Sequence, residues 1–302
     1  MEKYLAVDIG GSKIVVGVVD GTGAVLQSCK ETLPRTYGID TVIETILRLA
    51  KSLGEQNFTA AGVTIPGLAD PAKGIWKYAP FSGIGEIPIA AILNEKLGIP
   101  VYIENDVNAC AVGEKVFGNC RNDEDFLWIT VSNGIGGALY LNGELYLGGS
   151  GNAGEIGHFI VEENTDTVCG CGKIGCLEAM ASGKGIENMY RKLTGQALTA
   201  QEIACKAEAG EKTAKLVFAR AGFYIGKAVA TAVNLLNLPK IVFGGGVVQS
   251  FHLLEASMQE AIGRYLFAQA NKNCKITKTG LGYYAALIGA AAVAQKGLQK
   301  LV

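Results

Sequence analysis

The chain lays out one short plan twice. Residues 4–9, 14–20 and 24–30 read as strands divided by Gly10-Gly11-Ser12 and by Gly21-Thr22-Gly23, an antiparallel meander. A second meander starts near Phe126, with strands over 126–132, 137–141 and 144–147 divided by Gly134-Ile135-Gly136-Gly137 and by Asn142-Gly143. The likeness is one of layout more than identity. After the first meander, Val42, Ile43, Ile46, Leu47, Leu49 and Ala50 fall at helical spacing over 40–53, with Asp40 or Thr41 placed to cap the helix. A strand over 60–65, a helix over 87–97, a strand over 101–104 and a helix over 107–116 follow. The second meander is followed by helices over 177–193, 212–236 and 253–268, and by a strand over 240–243. A last helix, over 283–298, is placed to pack back on the first lobe. Such alternation specifies an α/β sheet. The expected molecule has two lobes, each opening on strand, glycine turn and strand, with two phosphate-sized turns face to face across a cleft.

Composition narrows the classes. Glycine, at 41 of 302 residues, has roughly twice its usual share while proline is only 7, so the excess is neither collagen-like nor that of a disordered Pro-rich chain. With 27 basic and 28 acidic residues the net charge is -1, which gives no global field for nucleic acid or an anionic membrane but allows a local phosphate site. Asp8 and two glycines interrupt what a signal peptide would keep apolar. The apolar stretches over 222–238 and 283–295 are broken by Lys227 or too short to span a bilayer. A soluble, cytoplasmic protein with reduced cysteines and no nucleic-acid or membrane partner is expected. Of its eight cysteines, three fall within residues 169–176.

Several motifs carry chemistry, each with a plainer alternative. In Asp8-Ile9-Gly10-Gly11-Ser12-Lys13 a strand-end carboxylate able to hold hydrated Mg2+ precedes a turn whose N–H groups can approach phosphate; the plain reading is a hairpin turn. Its partner turn from Asn133 and Gly134 to Gly137, and the run Gly244-Gly245-Gly246 after the strand Ile241-Val242-Phe243, favour the first reading. In Glu104-Asn105-Asp106, Asp106 is either the cap of the helix after it or a general base for a hydroxyl, with Asn105 hydrogen-bonding the same substrate. His158 with Cys169, Cys171 and Cys176 matches a closed tetrahedral zinc site, structural because no position is left for a catalytic water. The alternative is buried or disulfide-forming cysteines beside an unrelated histidine. Glu155 and Glu178 are then either solvated acids or substrate acceptors held by the metal loop.

Together these residues resemble the ROK (repressor, open reading frame, kinase) sugar kinases over almost the whole chain. The likeness rests on Asp8 to Lys13, on Pro66-Gly67 with Asp70 and Gly74, on Glu104-Asn105-Asp106-Val107-Asn108-Ala109 and on Gly154-Glu155-Ile156-Gly157-His158. It also rests on Cys169-Gly-Cys171-Gly-x-x-Gly-Cys176-Leu177-Glu178, with Ser182-Gly183 after it, and on Gly244-Gly245-Gly246. The resemblance implies a two-lobed actin-like ATPase (ribonuclease H-like) fold, two mixed sheets flanked by helices with a cleft between lobes. The lobes are expected over 1–117 with about 284–302, and over 118–283 with the zinc loop.

The resemblance also implies ATP-dependent phosphorylation of a hexose, glucokinase-type, at O6. Asp106 would be the base, and Gly67, Asn105, Glu155, His158 and Glu178 would hold the sugar, with His158 serving zinc through one ring nitrogen and sugar through the other. Asp8, Gly10, Gly11, Ser12 and Lys13, then Asn133 and Gly134, then Gly244, Gly245 and Gly246 would receive Mg2+, phosphates and adenosine. A homodimer is expected. Kinases for N-acetylmannosamine, N-acetylglucosamine or fructose are the alternatives, and a non-enzymatic sugar sensor a further one; only seven residues precede Asp8 here, too few for a helix-turn-helix. Two features depart from the family pattern: Ser132-Asn133 where Gly-Thr is usual, and Phe81-Ser82-Gly83-Ile84-Gly85 after Ala79-Pro80 where many members carry Asn.

Overall fold

A computed structural model of the chain describes residues 2–34, 37–54, 57–78, 85–267 and 273–299. Most of the unusual loop after Ala79-Pro80 therefore lies outside the described residues. The chain divides into two compact units, one of Met1–Glu124, Leu145–Ala153 and Thr279–Val302, the other of Asp125–Glu144 and Gly154–Lys278.

The first unit is built on a five-stranded sheet of order β3-β2-β1-β4-β8, from β1 (Lys3–Ile9), β2 (Lys13–Asp20), β3 (Val25–Thr32), β4 (Ala60–Ile65) and β8 (Val101–Asn105). The meander is antiparallel, whereas β1, β4 and β8 run parallel. Every residue of β4 is buried, as a parallel strand covered on both faces must be. On one face lie α1 (Ile39–Ser52) and α2 (Ile89–Leu97), whose Val42, Ile46, Ile89 and Leu93 join Val7, Val16 and Val63 in one core. On the other, the alanine-rich α9 (Ala285–Gln299) packs against β1, β4 and α3 (Asp106–Val116). A small sheet of β5 (Leu68–Asp70), β6 (Ile75–Tyr78) and β7 (Gly85–Ile87) completes this unit.

A second five-stranded sheet, in the second unit except for the last two residues of β11, repeats the order: β11-β10-β9-β12-β13, from β9 (Phe126–Val131), β10 (Ile135–Leu141), β11 (Glu144–Tyr146), β12 (Lys240–Gly244) and β13 (Lys275–Lys278). β9, β12 and β13 are parallel and β10 is antiparallel to β9. Its helices are α4 (Leu177–Ala181), α5 (Gly183–Thr194), α6 (Ala200–Glu208), α7 (Lys212–Leu236) and α8 (Phe251–Tyr265). Among the described residues α7 is the one helix long and apolar enough to cross a membrane, yet most of its apolar stretch is buried inside the protein, packed on α8 and on α4 to α6.

Three element readings need correction. The helix over 40–53 starts at Ile39 with Gly38 at its N-cap and no side-chain cap, so Asp40 lies in the first turn and neither it nor Thr41 caps. The apolar spacing over 87–97 spans two elements, because Pro88 holds Ile87 extended at the end of β7 and α2 begins after it. The stretch 177–193 is two helices broken at Ser182, whose backbone is extended (φ -69°, ψ 173°) and whose Oγ accepts from Gly185 N at 3.1 Å to cap α5.

Gly62 on β4 shows how closely α9 approaches: a Cβ there would lie 1.8 Å from the Ala290 carbonyl oxygen. Gly62→Ala must push α9 off the sheet and should cost about 1–3 kcal/mol or more in a urea titration, whereas Gly38→Ala, with open space around it, should cost far less.

Candidate active site

In the first unit the parallel strands bring four polar residues to their carboxyl ends. Register pairs Asp8 of β1 with Thr64 of β4, and Thr64 and Ile65 with Glu104 and Asn105 of β8. Ligands of open α/β sheets bind beyond such strand ends. Thr64 Oγ1 donates to Asp8 Oδ1 at 2.8 Å.

The cap of α3 is Asn105. Its Oδ1 accepts from Val107 N at 2.9 Å and Asn108 N at 3.2 Å, and its Nδ2 donates to the Gly67 carbonyl at 3.0 Å. One Nδ2 proton is not engaged by that bond. Asp106 accepts from Val107 N at 3.0 Å, but the N-cap of α3 is its neighbour. The turn that meets Asn105 is itself held: Gly67 has φ +81°, in the left-handed region, and the Pro66 carbonyl accepts from Trp76 Nε1 at 3.0 Å. Below them Glu104 Oε1 accepts from Asn105 N at 2.9 Å and Asn108 Nδ2 at 3.1 Å.

This packing sets the charge state of Asp106. Burial, and then the negative charge of Asp8, push its carboxyl up to about 7, with the Val107 N–H as a partial offset. Asp8 is also raised by burial, against the lowering effects of the Thr64 hydroxyl and Lys13. Both effects favour the protonated form of these acids or a cation that offsets their charge. The first glycine turn follows Asp8: Gly10 N donates to the Lys13 carbonyl at 2.9 Å, Leu33 N donates to the Ser12 carbonyl at 2.8 Å, and Lys13 Nζ stands 5.7 Å from the Tyr283 ring centre.

The second unit holds the cysteines. One ligand atom each from His158, Cys169, Cys171 and Cys176 can be chosen so that all lie within 4.8 Å of one another. Cys171 and Cys176 sulfurs are 3.6 Å apart, and Cys169 Sγ is 3.7 Å from His158 Nδ1. A tetrahedral ion with metal–sulfur bonds of about 2.3 Å needs sulfurs about 3.8 Å apart, whereas a disulfide needs about 2.05 Å, so the donors fit zinc. Burial pushes Cys176 up to about 12 and also raises Cys169, a state that a cation among the sulfurs reverses. With Nδ1 turned to the sulfurs, His158 Nε2 faces Glu155 Oε2 at 3.8 Å.

The same unit carries the other two glycine sites. Glu178 Oε2 accepts from Ile135 N at 3.1 Å, and a Cβ on Gly134 would lie 2.4 Å from that oxygen. Ser132 and Asn133 are exposed. A Cβ on Gly244 would meet the Trp128 ring at 2.4 Å, Gly245 has φ +96°, and Gly246 has open space around it. The structure thus groups Asp8, Gly67, Asn105 and Asp106 in one unit, and Gly134 and Glu178 with the metal ligands in the other. Thr64 and Trp76 escaped the sequence reading; a lone hydroxyl at the end of an otherwise apolar strand was the available signal for Thr64.

The sequence model of the ROK family matches residues 4–297. The chain belongs to the ROK family. A glucokinase of Thermotoga maritima is 30% identical, over 96% of this chain and 96% of the relative. The xylose repressor of Bacillus subtilis is 28% identical, over 89% of this chain and 68% of the repressor. A crystal structure of a ROK family glucokinase from Streptomyces griseus in complex with glucose and AMPPNP superposes with a TM-score of 0.86 at 28% identity, over 98% of this chain and 100% of that one. The α/β sheets of this ROK protein, flanked by helices, are those of the actin-like ATPase fold.

The raised Asp106 carboxyl costs stability in a definite pH window. Unfolded, it ionises near the ordinary 3.8, and folded only near about 7, so stability is lost as pH rises between these values. Asp106→Asn stays neutral throughout; its thermal midpoint should exceed that of the parent at pH 8 and match it near pH 4, and a gain confined to acid pH would contradict the assignment.

Proposed function

We propose that this ROK protein is an ATP-dependent sugar kinase of glucokinase type, transferring the γ-phosphoryl group of MgATP to a hydroxyl, O6, of an aldohexose. The observation that carries the reading is Asp106, a half-buried carboxyl at a strand end with its proton affinity raised to about 7 beside Asp8. A group of that affinity can accept the hydroxyl proton near neutral pH. The glucokinase relatives support the choice of substrate and donor.

Asp106 takes the proton from the sugar hydroxyl. Asn105 and the backbone of Gly67, with Glu155, His158 Nε2 and Glu178, orient the sugar. Asp8, Gly10, Gly11, Ser12 and Lys13 hold Mg2+ and phosphates, Asn133 and Gly134 phosphates, and Gly244, Gly245 and Gly246 adenosine. Mg2+, when bound, neutralises charge on the phosphates. Zinc on His158, Cys169, Cys171 and Cys176 is structural. The enzyme acts in the cytoplasm as a homodimer. N-acetylmannosamine, N-acetylglucosamine and fructose are the rival sugars.

A panel of these sugars with glucose and mannose, read by coupled ADP release, should show turnover on an aldohexose. Asp106→Asn should lose about 10² or more in turnover with sugar binding retained, and kcat/KM of the parent should fall about tenfold per pH unit below about 7 as the base is protonated. No turnover on any sugar removes the kinase reading. It would leave the second reading, a non-enzymatic sugar sensor, which the repressor relatives favour.

Metal determination should find about one zinc per chain, and Cys171→Ser should lower the melting temperature and weaken sugar binding through His158 and Glu178. Full activity without metal would contradict this.

A further inference from the structure

Both segments that carry the metal ligands close on one turn of the second unit. Cys176 is the N-cap of α4, and Glu178 in its first turn accepts from Ile135 N at 3.1 Å through Oε2, while its Oε1 lies 3.8 Å from Cys169 Sγ. Where α4 ends, Ser182 is buried and Gly183 N donates to the Ser132 carbonyl at 2.7 Å. The turn Ser132-Asn133-Gly134-Ile135, closed by Ser132 N to the Gly134 carbonyl at 2.9 Å, is thus gripped at one end by Glu178 of α4 and at the other by Gly183, the first residue of α5. From the other side Gly157, next to His158, packs so tightly that a Cβ would lie 2.0 Å from the Ile135 carbonyl oxygen. The glycines at 134, 157 and 183 leave no slack, because a Cβ at any of them would come within 2.8 Å of its partner.

We propose that the metal centre and the Ser132–Ile135 turn are one mechanical unit, so that metal binding and nucleotide binding strengthen each other, with Glu178 as the positioning residue between them. This rests on the proposed function, in which the turn receives nucleotide phosphates. Displacing the metal frees Cys176 and Cys169, and with them the start of α4 and the carboxylate that holds Ile135 N–H. Coupling between two bound ligands is reciprocal, so the nucleotide must tighten the metal by the factor by which the metal tightens the nucleotide.

The test uses the intact protein without sugar, so that any contact of Glu178 with sugar is silent. Zinc affinity is measured by competition with a zinc-selective chelator, with and without saturating Mg·ADP, and Mg·ADP affinity by calorimetry on zinc-loaded and zinc-stripped protein. Both affinities should rise by the same factor, about tenfold. Glu178→Ala should abolish the coupling and weaken Mg·ADP, while Glu178→Gln, which keeps an oxygen for Ile135 N–H, should restore most of it; a purely packing role would give no such rescue. If zinc and Mg·ADP both bind but ignore each other, the coupling is wrong and the functional reading stands. If the protein binds no zinc, the coupling is wrong and the kinase reading stands; if it binds no Mg·ADP, the functional reading fails and takes the coupling with it.

Discussion

The electrostatic influence of Asp8 on Asp106, two acids at the carboxyl ends of one parallel sheet, sets the terms for the first unit. Asp8 lies near the end of β1 and Asp106 directly after β8, strands that β4 separates in the sheet, and the parallel pairing of β1 with β4 and of β4 with β8 brings their carboxyl ends into line. Hydrophobic burial of Val7, Val63 and Ile103 drives that pairing, and the same packing leaves the two acids partly buried. The result is a carboxyl that keeps its proton to about 7, at a cost in stability near neutral pH. Such a cost is tolerated where a group must exchange protons.

Neighbouring side chains are arranged to hold that acid in place and leave it reactive. Asn105 takes the capping duty of α3 and ties the Gly67 turn, while Asp106 accepts from Val107 N in the first turn of that helix. Further along α3, Glu114 is fully buried and accepts from Asn119 N at 2.7 Å, Gly280 N at 2.8 Å and the Thr279 hydroxyl, fixing the chain that leads into α9. In the second unit short contacts of Gly157 and Gly183 with backbone carbonyls, together with the Glu178 carboxylate on Ile135 N, shape the turn beside Glu178.

Much of this was legible in the sequence. The doubled meander, the first glycine turn and the strand–helix alternation appear where periodicity and glycine put them, because a two-residue period and an interrupted apolar run report local structure directly; the second glycine turn is shorter than its glycines suggest, since Ile135, Gly136 and Gly137 already pair with β9 in β10. The Cys169–Cys176 spacing likewise announced a cluster whose donors do meet. What was hidden depended on partners distant in sequence. Capping by Asn105 instead of Asp106 is decided by the Gly67 carbonyl, 38 positions away. The break at Ser182 lies in a stretch whose apolar spacing reads as one helix, and it is fixed by Ser182 Oγ and the Ser132 carbonyl. The three-stranded sheet of β5, β6 and β7 is too short and irregular to leave a periodic trace.

The account stands on the proton affinity of one side chain. Its most direct measurement is a carboxyl-carbon NMR titration of protein labelled at aspartate, with the Asp106 signal assigned by its loss in Asp106→Asn. The account requires a midpoint near about 7 that falls when Asp8 is replaced by Asn. A midpoint near the ordinary 3.8, unmoved by Asp8→Asn, would contradict it.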